Sequence, residues 1–152
     1  MSDMIPKGGI APLVPELDVC DLARSLAFWC DGLGFRVAYA RRETGFAFLQ
    51  RERAQIMLEQ VNGNWVTAPM TPPFGRGINL QITVECTEDI LTRLSILDWP
   101  LFRPLHDAWY RAGEEEVGCR QFLVQDPDGY LLRFCESLGR RRLSPGGPAS
   151  SH

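Results

Sequence analysis

The run Arg120-Gln121-Phe122-Leu123-Val124-Gln125-Asp126-Pro127-Asp128-Gly129-Tyr130-Leu131-Leu132-Arg133-Phe134-Cys135-Glu136 decides how the rest of the chain is read. Apolar residues alternate with others on both sides of Asp126-Pro127-Asp128-Gly129. Proline and glycine set the bend and the aspartates hydrogen-bond their own backbone, which predicts a β-hairpin that closes a sheet. The hairpin has an echo: moving back 74 residues, from 122 to 48, lays Phe48-Leu49 on Phe122-Leu123, Leu58 on Leu132 and Glu59 on Arg133. The chain reads as one module used twice.

Working outward, residues 1–8 read as an N-terminal arm and 9–61 as a first βαβββ module. Its first strand is expected over about Ile10 to Val19, irregular or at an edge because Pro12 and Pro15 cannot donate to a ladder. Asp21 is the expected cap of a helix running to about Gly32, with Leu22, Leu26 and Trp29 at helical spacing. Strands over Phe35–Arg42, Gly45–Gln50 and Ala54–Val61 complete the module. Residues 62–77, rich in proline and glycine and carrying Trp65 and Phe74, read as a linker. A second module over 78–137 opens with Ile78, Leu80, Ile82 and Val84 alternating against Asn79, Gln81 and Thr83, and moving back 65 residues, from 84 to 19, matches these apolar residues to the first strand. A helix from about Thr87 follows, then strands from about Leu101 and Trp109 before the closing hairpin. Residues 138–152 read as a disordered tail. The fold class is α+β.

A chain of 152 residues buries about 70% of its unfolded surface without extra staples. Its 45% hydrophobic and 23% charged residues are ordinary globular composition. There is neither a membrane-spanning apolar run nor a signal-peptide core near the N-terminus, so a cytoplasmic protein without membrane partners is expected. Cys20, Cys30, Cys86, Cys119 and Cys135 lack the close spacing of zinc or redox motifs, and read as reduced packing residues. Without residues 138–152, 13 basic face 19 acidic residues, a net of −6. Such a body favours a cation and makes nucleic acid a poor partner.

The closing hairpin with its preceding Gly118-Cys119-Arg120-Gln121-Phe122-Leu123, together with Val19-Cys20-Asp21-Leu22-Ala23-Arg24-Ser25-Leu26-Ala27-Phe28-Trp29 and Leu33-Gly34-Phe35, resembles the vicinal oxygen chelate superfamily over residues 9 to 137. The wording of Phe122 to Phe134 is nearest the bleomycin-resistance branch. The resemblance implies modules with curled sheets around a cleft, a homodimer, and four places where metal-using members hold a ligand. Those places carry Val14, Glu59, Asn79 and Arg133 here. An aliphatic side chain and a guanidinium do not bind a divalent ion, so no metal, no cofactor and no catalytic residue are expected. His106 reads as a surface or hydrogen-bonded residue, and His152 belongs to the tail.

The ligand-binding residues expected on these grounds are Phe46, Met57, Glu59, Asn79, Gln81, Trp109, Tyr110, Arg120 and Arg133. The resemblance puts Phe46 where bleomycin-binding relatives contact their ligand. Flat rings at Phe46, Trp109 and Tyr110, and at Trp65 and Phe74 if these rim the opening, suit a planar heteroaromatic with a cationic tail. Trp29 and Trp99 are expected in the core. Asn79 and Gln81 share a polar strand face able to orient a ligand. Glu59 and Arg133 either pair across a cleft or bond locally, and Glu114, Glu115 and Glu116 read as a solvated acidic turn. The function implied is sequestration of a bleomycin-type antibiotic. The alternatives are a metal-dependent glyoxalase-like lyase or isomerase, an extradiol-type dioxygenase, or a binding module for another small metabolite.

Overall fold

The computed structural model describes Pro6 and residues 8–144, so most of the expected N-terminal arm and residues 145–152 lie outside it. The chain divides into two compact units. The first comprises residues up to Arg76 together with Asp126–Tyr130, the tip of the closing hairpin; the second comprises Gly77–Gln125 and the chain from Leu131 onward.

The first unit holds β1 (Glu16–Val19), α1 (Leu22–Leu26) continuing as a π-helical turn over Ala27–Gly32, β2 (Arg36–Arg41), β3 (Phe46–Arg51) and β4 (Ala54–Gln60), with strand order β1-β4-β3-β2. The β1 strand is parallel to β4, and the other neighbours are antiparallel. Asp21 caps α1 as expected, its Oδ1 accepting from the Arg24 amide at 3.2 Å. The first strand starts at Glu16 rather than near Ile10: the prolines at 12 and 15 interrupt the donors a ladder needs. Alternation sorts β4 into two faces. Ile56 and Leu58 are buried, and so are Ala47, Leu49, Leu17 and Val19 of the same parity on neighbouring strands, while Gln55, Met57 and Glu59 are half-exposed. Trp29 is fully buried, with Phe35 edge-on at 5.1 Å. Burying each such side chain stabilises the fold by about 1.5–3 kcal/mol.

The second unit repeats the plan with β5 (Asn79–Thr83), α2 (Thr87–Ile96), β6 (Arg103–Ala112), β7 (Glu115–Gln125) and β8 (Leu131–Arg142), in the order β5-β8-β7-β6. Its core is Ile82, Ile90, Leu94, Phe122, Val124, Leu132 and Phe134, with Phe122 stacked on Phe134 at 5.3 Å. Thr87 does not cap α2 with its own side chain. Cys86 occupies the cap position, and the Thr87 amide donates to Glu136 Oε1 of β8 at 2.8 Å.

Several expectations change here. A single ten-residue β6 replaces the two strands expected from Leu101 and Trp109. Glu115 and Glu116 lie in β7, and Glu116 is buried under Arg141, whose Nε donates to it at 2.7 Å. The expected tail begins as strand, because β8 pairs with β7 as far as Arg142. Residues 62–76 belong to the first unit, where Phe74 is buried edge-on to Tyr130 at 6.0 Å. Cys119 and Cys135 are not separate thiols: they lie diagonally across β7 and β8 beside a bulge, with Cα atoms 5.6 Å apart, and form a disulfide.

The internal echo fails at one point for a geometric reason. In the first unit Phe46 faces Glu59 and Ala47 faces Leu58; in the second Leu123 faces Arg133 and Val124 faces Leu132. With Glu59 laid on Arg133, Phe46 corresponds to Leu123, a displacement of 77 (123 − 46) rather than 74. The difference is odd, so Phe48 and Phe122 point to opposite faces of their sheets.

The hairpin tip is a dense polar node of the first unit. Asp126 Oδ1 accepts from the amides of Asp128 and Tyr130, at 3.0 and 2.9 Å, while its Oδ2 accepts from Trp29 Nε1 at 3.3 Å. Asp128 accepts from the Cys20 amide and the Ser25 hydroxyl, and Tyr130 Oη donates to the Asp18 carbonyl at 2.9 Å. Gly129 has φ +99, and a Cβ there would lie 2.7 Å from Pro73 Cα, so both backbone conformation and space require glycine.

Candidate functional site

Each sheet has one face covered by its own helix, so the candidates lie on the other. In the first unit the pairing register writes that face as two rows: Asp18, Glu59, Phe46, Arg41, and beside it Glu16, Met57, Phe48, Tyr39. Phe46 and Phe48 are buried in an aromatic layer with Ala38, against which Val14, Tyr39 and Met57 pack. Tyr39 stacks on Phe48 at 5.1 Å, and the Arg41 guanidinium covers Phe46 at 3.9 Å from its centroid.

Beside this layer sits a cluster of carboxyl groups. The Glu16 carboxyl is raised above the ordinary range, first by desolvation, then by its hydrogen bond to Glu59 and the charges of Glu59 and Asp18. Asp18 is raised by burial and by the charge of Glu59. Glu59 Oε2 also accepts from Trp65 Nε1 at 2.8 Å, which ties an indole that is 65% exposed to the same group. Mutually repelling carboxylates against aromatic rings favour an organic cation, which relieves the repulsion and meets the negative ring faces.

On the second unit the corresponding face carries Asn79, Gln81 and Thr83 of β5, Leu131, Arg133 and Cys135 of β8, and Gln121 and Leu123 of β7. Arg133 is half-buried, and its Nε has no hydrogen-bond partner among the described residues. Gln121 is buried and lies between Cys135 and His106 in the register. Its Nε2 reaches Tyr110 Oη at 2.5 Å and His106 Nε2 at 3.1 Å.

The structure therefore groups Phe46, Met57 and Glu59 on one face of the first unit, and Asn79, Gln81, Tyr110 and Arg133 on one face of the second. Trp109 and Arg120 fall elsewhere. Trp109, next to Tyr110 in a strand, points to the reverse face, where Arg141 covers it at 3.8 Å. Arg120 shares parity with Phe122, opposite to Arg133, and pairs with Asp107 through two hydrogen bonds of 2.9 and 3.1 Å. That pairing holds the Asp107 carboxyl below its ordinary range. Both partners are exposed, so Arg120→Ala is expected to leave the urea midpoint and the affinity for any ligand of this face unchanged.

Sequence reasoning missed Glu16, Asp18, Tyr39, Phe48 and Gln121, while His106 is hydrogen-bonded as expected. The alternation Glu16-Leu17-Asp18-Val19 was a readable sign that both carboxylates share Glu59's face.

The four places expected to bear metal ligands do not form a donor set. Val14 packs into the aromatic layer, Asn79 is neutral and Arg133 is cationic, leaving Glu59 alone. Among the described residues no group of three or more His, Cys, Asp or Glu side chains is arranged to hold an ion, and no helix is long and apolar enough to cross a membrane.

Comparison with known proteins agrees with this architecture. The chain is 28% identical over 137 residues to a bleomycin resistance protein of Geobacillus stearothermophilus, covering 82% of this chain and 96% of that protein, and equally to one of Staphylococcus aureus. Among solved structures, TioX from Micromonospora sp. ML1 superposes with a TM-score of 0.62 at 19% identity, over 84% of this chain and all of TioX. The virulence protein STM3117 of Salmonella typhimurium gives 0.62 at 17% identity, over 84% of this chain and 97% of its own. The family model described as Glyoxalase/Bleomycin resistance protein/Dioxygenase superfamily matches residues 10–134, and with two βαβββ units of identical strand order in hand, the chain belongs to that superfamily.

Proposed function

We propose that this protein binds a cationic, aromatic antibiotic of the bleomycin class and holds it without altering it. The observation that carries the reading is the face of the first unit, where Glu16, Asp18 and Glu59 crowd beside Phe46 and an exposed Trp65. Desolvation and the neighbouring charges raise the Glu16 and Asp18 carboxyls, and a bound cation offsets that cost. The curated bleomycin resistance proteins that share 28% identity with this chain support the ligand class. The mismatched donor set favours holding over metal-assisted chemistry, since the residues at the four ligand places offer one carboxylate in place of a chelating set.

Isothermal titration with bleomycin tests this. Binding is expected to release heat and to weaken as salt is raised, because its electrostatic part is screened. Trp65 is exposed and hydrogen-bonded to Glu59, whereas Trp29 is fully buried. The fluorescence change on binding is therefore expected to shrink by about half or more in Trp65→Phe, the stacking contribution of one ring being on the order of 1 kcal/mol. Absence of heat and of any fluorescence change at high bleomycin concentration would overturn the reading. Size-exclusion chromatography with light scattering then reads whether the binding species is a homodimer.

A further inference from the structure

The geometry points to a proton-controlled reversal of hydrogen-bond polarity on the second unit, in which His106, acting through the Gln121 amide, determines whether Tyr110 presents a donor or an acceptor. The inference stands apart from the identity of any ligand.

The anchor is at Pro104. His106 Nδ1 lies 2.9 Å from the Pro104 carbonyl oxygen. The pairing of β6 with β7 shifts register between Arg103 and His106, so this carbonyl sits at an irregularity of the ladder. A carbonyl oxygen only accepts, so Nδ1 must carry a hydrogen in every state that keeps the contact. In the neutral imidazole the other nitrogen, Nε2, is then an acceptor. It meets Gln121 at 3.1 Å, and the amide must offer its NH2 group there. The same NH2 reaches Tyr110 Oη, so the phenol accepts from the amide and its own hydrogen is directed away from Gln121. In this arrangement Gln121 Oε1 is buried without a hydrogen-bond partner among the described residues.

Protonating His106 reverses each step. Nε2 gains a hydrogen and two donors now face each other, a conflict removed by turning the Gln121 amide through 180°. The oxygen then accepts from His106 Nε2–H and from the Tyr110 hydroxyl, while the NH2 group takes the place where Oε1 had no partner among the described residues. Tyr110 has now given its hydrogen to Gln121 and can only accept from a ligand. The proton comes from solvent, and no covalent bond changes.

The surroundings leave the choice to His106. Among the described residues the strand paired with β6 is β7, which presents Gln121 and Cys119 on this face and Arg120 on the reverse. Arg120 is paired with Asp107, the residue that follows His106 in β6. On β6 itself Arg103 and Arg111 stand three and five residues away, and Arg111 Nε donates to the Gly113 carbonyl. Cys135, opposite Gln121 on β8, is tied up in the disulfide.

Nuclear magnetic resonance on the full chain tests the idea without a variant. The neutral His106 ring is expected to be the Nδ1–H tautomer, and the Gln121 side-chain amide and the Tyr110 ring signals should move with the same midpoint as the imidazole. A neutral Nε2–H tautomer, or a Gln121 amide that ignores the His106 titration, would overturn it. In Gln121→Met, His106 should still titrate while the Tyr110 response falls at least severalfold. An unchanged Tyr110 response in that variant, its fold checked by backbone amide dispersion, would also overturn the proposal. In Gln121→Glu the carboxylate favours imidazolium, so the His106 midpoint should move to higher pH.

Discussion

Asp126→Ala is expected to lower the unfolding free energy by about 3–5 kcal/mol, the sum of three donors left without an acceptor at about 1–3 kcal/mol each, less what water recovers. The donors are the fully buried Trp29 indole and the amides of Asp128 and Tyr130. Urea unfolding followed by tryptophan fluorescence measures the loss, and an unchanged midpoint would show that the hairpin tip does not hold the first unit together. The same carboxyl makes the fold pH-dependent. Burial, as the largest cause, raises the Asp126 pKa to about 6 despite the hydrogen bonds from Tyr130, Trp29 and Asp128 that oppose it. A raised acid pKa means that the folded state binds the proton more tightly. Its stabilising contribution is therefore complete below the unfolded value near 4 and is lost as pH rises through about 6, at up to ~1.4 kcal/mol per pH unit across that window. Asp126→Asn, which cannot titrate, should flatten that slope.

The second large effect concerns binding. Glu16→Gln combined with Glu59→Gln is expected to weaken bleomycin binding about tenfold to a hundredfold, as charge-assisted hydrogen bonds contribute about 1.5–3 kcal/mol and tenfold is about 1.4. The same pair of substitutions should leave the unfolding temperature unchanged or raise it, because desolvation and mutual repulsion hold Glu16 above its ordinary range in the folded protein. Titration calorimetry and thermal unfolding on one preparation give both readings. A variant that binds as well as the parent would remove these carboxylates from the site, whereas one that merely loses stability would assign them a structural part. Salt should weaken the parent's binding more than the variant's.

Where the chain alternates cleanly, sequence and structure agree. The helix cap at Asp21, the first strand's end at Val19, a strand starting at Ala54 and the repeated βαβββ succession of elements follow from periodicity and turn chemistry. What pattern could not supply was register. Parity across the closing hairpin decides that Arg120 and Trp109 leave the face on which Arg133 and Tyr110 stand, and it rests on how many residues the tip holds out of the ladder. The disulfide was hidden for the same reason, since Cys119 and Cys135 are diagonal neighbours only in the register that pairs Gln125 with Leu131 and Gln121 with Cys135. Glu16 and Asp18 were legible by alternation but passed over, because the family's ligand place on that strand falls at Val14.

The order in which the chain leaves the ribosome now matters. A first unit that draws Asp126–Tyr130 into its own interior cannot mature when residue 76 has been translated. Its tryptophan core must wait, incompletely sealed, through the synthesis of some fifty further residues (126 − 76). At about 5–20 residues per second that pause lasts seconds, long enough for a nascent-chain chaperone to engage the waiting half.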